Sequence, residues 1–221
     1  MTSAHKPRRL FITGGSGYLG RHLIPALLQR GHEVRALVRP GSESKLPAGC
    51  MTIAGDALVS QSFAARVPPA DTFVHLVGVS HPGPAKAPLF RTVDLASVQA
   101  AVAAARTGGI AHMVYVSVAQ PAPVMKAYVQ VRAECEALIR GSGLSATFVR
   151  PWYVLGPGHR WPHLLQPLYW LGEQLPSTRA TAQRLGLVTL AQMIAALVHA
   201  LEHPAAGIRV MEVPEIRFMR L

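Results

Sequence analysis

Residues 8–31 read RRLFITGGSGYLGRHLIPALLQRG: a short apolar run, a cluster of glycines, then apolar residues at helical spacing. RRLFIT has the length and flanks of a fully buried strand. YLGRHLIPALLQRG repeats its apolar side chains along one helical face and closes on Gly31, a fitting helix stop. Between the two, Gly14, Gly17 and Gly20 stand three positions apart. A strand that passes at once into a helix through such a loop gives each glycine a task. Gly14 permits the tight turn, Gly17 lets a pyrophosphate approach the backbone, and Gly20 lets helix and strand pack closely. The anion then meets the unsatisfied N–H groups and the positive dipole end of the helix.

The rest of the chain keeps the same rhythm. HEVRALVR (32–39), CMTIAGD (50–56), DTFVHLVGV (71–79), HMVYVSV (112–118) and SATFVRP (145–151) read as the second to sixth strands. LFRTVDLASVQAAVAAARTGG (89–109) and KAYVQVRAECEALIRGSG (126–143) read as helices. Strands alternating with helices imply parallel βαβ units with right-handed crossovers. The expected fold is α/β, a Rossmann-like doubly wound parallel sheet in a single domain over 1–221. After Pro151 the pattern changes: WYVLGPGHRWPHLLQPLYWLGEQLP (152–176) is rich in Pro, Gly and Trp and lacks strand alternation. TLAQMIAALVHALEHP (189–204) returns to a helix with Thr189 as N-cap, and IRVMEVP (208–214) supplies a last strand. Residues 152–190 are therefore expected to form a small C-terminal cap near the substrate edge of the sheet.

Bulk composition narrows the classes. With 221 residues, 50% hydrophobic and 15% charged, the chain can bury a core without disulfide or metal. Its two cysteines, Cys50 and Cys135, form no pairing pattern and fit a reducing compartment. The start, MTSAHKPRR, has charge but no apolar stretch behind it like a signal peptide, and no apolar run approaches the roughly 20 residues that span a bilayer. A cytoplasmic protein is expected. The net charge of +11 is scattered along the chain. It is read as a solubilising surface or as attraction to an anionic membrane or acidic partner. No nucleic acid is expected, because the basic residues are not interleaved with stacking aromatics. The ten histidines never pair with carboxylates or cysteines at ligand spacing, so no metal site is expected.

TGGSGYLG (13–20) resembles the TGxxGxxG loop of the short-chain dehydrogenase/reductase superfamily, in its extended and atypical branches, which include NAD(P)-dependent epimerase- and dehydratase-like proteins. The resemblance runs from Leu10 to about Val213 and implies a nicotinamide dinucleotide cofactor held by Gly14, Gly17, Tyr18, Leu19 and Gly20. In this fold the residue ending the second strand meets the adenosine ribose. An acid there accepts from a free 2′-hydroxyl, whereas an arginine pairs with a 2′-phosphate. Here it is Arg39, with Arg35 upstream and no acid before Glu43, which favours NADP while leaving NAD open. Asp56, after the third strand, takes the place of the family's adenine contact or caps the next turn. Leu76, Val77 and Gly78, after the fourth, are expected to line the cofactor, and His75 reads as a core residue.

The family's chemistry implies a Tyr as general acid or base, a Lys four residues on, and a Ser from the preceding strand. This chain has AYVQVRAE, so Tyr128 is followed by Arg132 where the family has lysine. Ser117 stands eleven residues before Tyr128, with Val118 in the place of a second serine. The resemblance gives Tyr128 the acid/base role, Arg132 the role of ribose and charge partner, and Ser117 that of a positioning donor. Arginine keeps the charge on the same helix face but not the compact ammonium geometry. Downstream, VRPWYVLGPG resembles the RPxxVxGPG pattern of epimerase-like relatives that bends the chain toward substrate. Trp161, Tyr169 and Trp170 suit an apolar substrate, a membrane surface or the cap's own core. Two functions follow from the resemblance. One is an NADP(H)-dependent oxidoreductase acting on a small apolar carbonyl or alcohol. The other is a non-catalytic NADPH-binding regulatory or scaffold module that docks to a protein or, peripherally, to a membrane.

Overall fold

A computed structural model describes residues 6–157, 181 and 183–221. Its strands are β1 (Arg9–Thr13), β2 (Glu33–Val38), β3 (Met51–Ala54), β4 (Thr72–His75), β5 (His112–Val116), β6 (Ser145–Val149), β7 (Tyr153–Leu155), β8 (Leu187–Thr189) and β9 (Ile208–Met211). Its main helices are α1 (Tyr18–Gln29), α2 (Ala96–Thr107), α3 (Lys126–Gly141), α4 (Leu190–Glu202) and α5 (Val213–Phe218). Seven strands form one parallel sheet in the order β3-β2-β1-β4-β5-β6-β9, the Rossmann-like arrangement.

Alternation along each strand builds two cores. On one face Leu10, Ile12 and Val114 meet Leu23, Ile24 and Leu27 of α1 and Met193, Ile194 and Leu197 of α4. On the other, Phe11, Phe73, Met113, Tyr115 and Phe148 meet the small residues Ala101, Ala104 and Ala105 of α2, and Val131, Cys135 and Ile139 of α3. The alanine-rich face of α2 lets it sit close against these aromatic rings. Each fully buried large apolar side chain contributes about 1.5–3 kcal/mol, so this two-sided burial carries the sheet.

Local signals hold where they are self-contained. Gly31 adopts φ +80° just past α1, the left-handed conformation that stops the helix. Thr189 caps α4 in a reciprocal box: its Oγ1 accepts from the Gln192 N–H at 3.2 Å, and Gln192 Oε1 accepts from the Thr189 N–H at 2.8 Å.

The β3–β4 connection carries 3₁₀ turns at Ser60–Ser62 and Ala64–Arg66, a stretch that lacks a helical apolar repeat. Two features differ from expectation. The helix expected over 89–109 enters α2 through a π-helical turn, Phe90–Leu95, that buries Asp94. The segment after Pro151, read as having no strand, contributes the short parallel pair β7–β8. Three residues on each side are too few to show alternation in sequence. The remainder of the expected cap, 158–180 and 182, lies outside the described residues, and with it Trp161, Tyr169 and Trp170.

Candidate active site

The strand order reverses between β1 and β4, since β2 and β3 lie to one side and β5 and β6 to the other. Ligands of open α/β sheets bind in the crevice at the carboxyl ends of such strands. Here a groove of about 390 Å³ is lined by Gly14, Ser16 and Gly17 after β1, Arg39 after β2, Asp56 and Leu58 after β3, and Leu76, Val77 and Gly78 after β4. Sequence reasoning thus brought residues from four strand ends to one place.

The loop's geometry explains its glycines. Gly14 has φ +78°, and a Cβ there would lie 2.9 Å from the Leu76 carbonyl carbon, so the loop passes tight against the end of β4. A Cβ at Gly20 would land on the carbonyl oxygens of Gly14 and Gly15, so helix α1 can start here only if that position is bare. Gly17 is the N-cap of α1, and its N–H donates to Gly14 O at 3.0 Å. No side chain caps α1 and no acid stands in its first turn, which leaves the positive end of the helix for an anion.

Around this cradle the polar groups differ in availability. Arg39 is exposed and its guanidinium has no partner among the described residues. Arg35, by contrast, donates to the Pro68 carbonyl at 2.7 Å and is tied to the far end of the sheet. Asp56 Oδ1 accepts from the Leu58 N–H at 2.9 Å, so it shapes its own turn while facing the groove. His75 is buried between Thr13 Oγ1 at 2.8 Å and Ser97 Oγ at 3.1 Å. Burial first, and the Arg132 charge second, push its pKa down to about 3, so it stays neutral in the core.

A second cavity, of about 270 Å³, opens beyond the first turn of α1. Its walls include Tyr18, Leu19, Ser117, Val118, Met125, Tyr128, Trp152 and Tyr153. Ser117 is 4% exposed and its Oγ has no hydrogen-bond partner among the described residues. A buried hydroxyl left unmade costs about 1–3 kcal/mol, which an arriving acceptor or donor recovers. Tyr128 stacks obliquely on Phe90 with ring centroids 5.1 Å apart. Its phenol pKa is raised, chiefly by burial, with the nearby Arg132 charge acting the other way. The phenol is therefore protonated at neutral pH, the state of a proton donor.

Arg132 lies against the Tyr128 ring, 5.1 Å from its centroid, and turns its guanidinium toward protein partners. It lines neither cavity and is 6% exposed. Its Nη2 pairs with Asp94 Oδ1 at 2.7 Å, and its Nη1 donates to the Tyr115 hydroxyl at 3.0 Å and to the Val116 carbonyl at 2.9 Å. A guanidinium is long enough to reach across to the π-helical turn, and Asp94, buried there, captures it. Burial pushes the Asp94 carboxyl up, and Arg132 together with the Val79 N–H opposes that. A Cβ on Gly78 would collide with Arg132 Nη2, so this glycine makes room for the guanidinium as well as bordering the groove.

The sequence did not single out Asp94, Tyr115, Met125, Trp152 or Tyr153. Asp94 carried one weak signal, the single acid in an alanine-rich helix, but its partner lies on another element. Met125 adopts φ +56° at the start of α3, a backbone state that no spacing rule reveals for methionine.

Comparison with known proteins supports a nicotinamide-dinucleotide-binding chain of this fold. The family described as NAD(P)H-binding matches residues 14–161. The chain is 31% identical over 149 residues to the ceramide reductase of Caulobacter vibrioides, covering 66% of this chain and 46% of that protein. It is 29% identical over 170 residues to the 4-hydroxy-2-methyl-3-oxo-4-farnesyl-3,4-dihydroquinoline-1-oxide ketoreductase of Stigmatella aurantiaca, covering 67% and 51%. The chain thus spans about half the length of the curated relatives it matches. Among solved structures, the Bordetella bronchiseptica enzyme WbmH in complex with NAD+ aligns with a TM-score of 0.69 at 18% identity, over 94% of this chain and 76% of that one. UDP-glucose 4-epimerase from Thermotoga maritima aligns with a TM-score of 0.68 at 13% identity, over 92% and 76%. At such identities the likeness is one of fold.

Proposed function

From the premise that this chain belongs to the NAD(P)H-binding family, in the extended/atypical short-chain dehydrogenase/reductase branch, we propose that it is an NADP(H)-dependent reductase of a small apolar carbonyl compound. The observation that carries the reading is the pairing of a protonated Tyr128 with the unpartnered Ser117 Oγ in one largely apolar cavity beside the nucleotide groove. The bound dinucleotide would supply the hydride. The chain's own residues do the rest. Ser117 Oγ donates to the substrate oxygen and orients it. Tyr128 gives its phenolic proton to that oxygen as negative charge develops, and regains a proton from solvent afterwards. Apolar walls from Leu19, Val118, Met125 and Trp152 exclude water and select an apolar body.

NADP is favoured over NAD because Arg39, just after β2, is an exposed cation at the groove, with no side-chain partner among the described residues. Gly14, Gly17, Gly20 and the uncapped start of α1 would hold the pyrophosphate, with Tyr18 and Leu19 in that first turn. Asp56 would face the adenine, and Leu76, Val77 and Gly78 the far ribose. The ceramide reductase and ketoreductase names of its relatives support a reductive role.

One observation favours the non-catalytic module instead: the cation four residues after Tyr128 is committed to protein partners. NADPH oxidation with a panel of apolar aldehydes and ketones separates the two. The reductase reading expects turnover in the wild type and at least a hundredfold loss in Tyr128→Phe, with NADPH affinity kept. Turnover that survives Tyr128→Phe would refute the acid assignment. No turnover with any carbonyl would favour the module.

A further inference from the structure

Arg132 and Asp94 form a buried ion pair that touches both sides of the site at once. Asp94 Oδ1 holds the guanidinium, and Asp94 Oδ2 accepts from the Val79 N–H at 3.1 Å, one residue past Gly78 at the nucleotide groove. On its other side the guanidinium lies 5.1 Å from the Tyr128 ring centroid and 5.6 Å from that of Tyr115. Its Nη1 also grips the Tyr115 hydroxyl and the Val116 carbonyl, at the strand end that leads to Ser117. One ion pair thus spans the end of β4, the π-helical turn before α2, the end of β5 and the Tyr128 face of α3.

We propose that the Asp94–Arg132 pair is a positioning device that locks the nucleotide groove and the Tyr128 ring into one register, so that Arg132 acts through Asp94 and Tyr128 and not as a ligand of the ribose. Three physical points support it. First, an aromatic ring beside a desolvated cation is held in orientation as well as position. Second, a buried pair is a poor source of net stability but fixes geometry, because either charge left alone is severely destabilising. Third, the groups around Tyr128 carry opposite signs of influence: Arg132 draws the phenol toward ionisation, and Asp94 opposes it, with Cys135 a smaller contributor on the same side as Asp94. The pair therefore trims the proton donor while it shapes the groove.

This inference rests on the reductase reading, and its test keeps the two apart. Wild type, Asp94→Asn, Arg132→Gln and the double variant are compared, the double leaving no uncompensated charge. NADPH affinity is measured by titration calorimetry. Tyr128 ionisation is followed by the ¹³Cζ chemical shift of labelled tyrosine, assigned with Tyr128→Phe. Arg132→Gln should raise the Tyr128 midpoint and Asp94→Asn should lower it. Both singles should bind NADPH at least tenfold more weakly. The double variant should recover thermal stability over the less stable single, yet remain at least fivefold weaker for NADPH than wild type. A pair that is only structural gives a double variant with wild-type NADPH affinity, or singles with unmoved Tyr128 midpoints, and either result overturns the proposal. Wild-type protein that binds no NADPH sinks the reductase reading and this inference together. Wild-type binding and turnover, with a double variant indistinguishable from it, sinks the inference alone.

Discussion

His75 shows how a single side chain is assigned by its surroundings. A histidine on the strand beside a cofactor groove invites a catalytic reading, yet its ring is fully enclosed and both nitrogens meet hydroxyls of Thr13 and Ser97. With its folded pKa near 3 against an ordinary 6.5, the unfolded chain binds a proton between those values that the folded chain refuses. Stability must therefore fall as pH drops through that window, by about 2–3 kcal/mol for this group between pH 7 and 4.5. Urea unfolding at both pH values should show that loss, and His75→Gln should flatten the slope by a similar amount whatever its absolute stability. An unchanged slope in the variant would assign the acid sensitivity elsewhere. The same scale shows what sequence can and cannot reveal. Tyr128 and Ser117 were singled out through the resemblance to the family's Tyr-x-x-x-Lys and strand-end Ser pattern, and both line one cavity. The fate of Arg132 was not legible, because it depends on Asp94, which comes from another element and meets it only through folding.

At the scale of elements, the β1–α1 unit carries the clearest correspondence between sequence and structure. Strand, loop and helix follow one another without intervening residues, so local rules suffice to fix them. Two glycines of the loop make opposite predictions. At Gly17, which lines the groove, an added Cβ would meet Gly14 O at 3.1 Å, a close contact that a backbone shift of a few tenths of an ångström relieves. Gly17→Val should keep its far-UV circular dichroism and lose NADPH binding below detection by calorimetry; retained affinity would make the loop a turn without a ligand. At Gly20 the added atom meets backbone carbonyls that cannot move without unseating α1, so Gly20→Ala should lose helical signal as well. The elements that escaped sequence reading are those whose shape is imposed from outside. The π-helical turn at Phe90–Leu95 exists with Asp94 turned into the ion pair, and β7 and β8 pair across a long intervening segment. Periodicity over a few residues cannot report either.

Over the whole molecule, charge and topology make different contributions to cofactor choice. The net charge of +11 attracts any anionic dinucleotide, and NADPH, with its extra phosphate, more than NADH. That general attraction is screened over about 8 Å at physiological salt. A pair between the proposed 2′-phosphate and Arg39, which follows β2 at the groove, would be short-ranged and so should persist. A charge-assisted pair of this kind is worth about 1.5–3 kcal/mol, enough for at least a tenfold preference. Thermal unfolding reads this out for the intact chain. At a concentration 100 times its Kd, NADPH stabilises by about 2.7 kcal/mol, while NADH bound tenfold more weakly gives about 1.4 kcal/mol. For a domain of this size each kcal/mol moves Tm by about 2–4 °C, so the two cofactors should differ by about 3–5 °C. The gap should survive 0.5 M salt in the wild type and close in Arg39→Ala, because only the specific pair has been removed. A gap that vanishes with salt in the wild type would assign the preference to the general field. Equal shifts at low salt would end the case for NADP while leaving the dinucleotide groove itself in place.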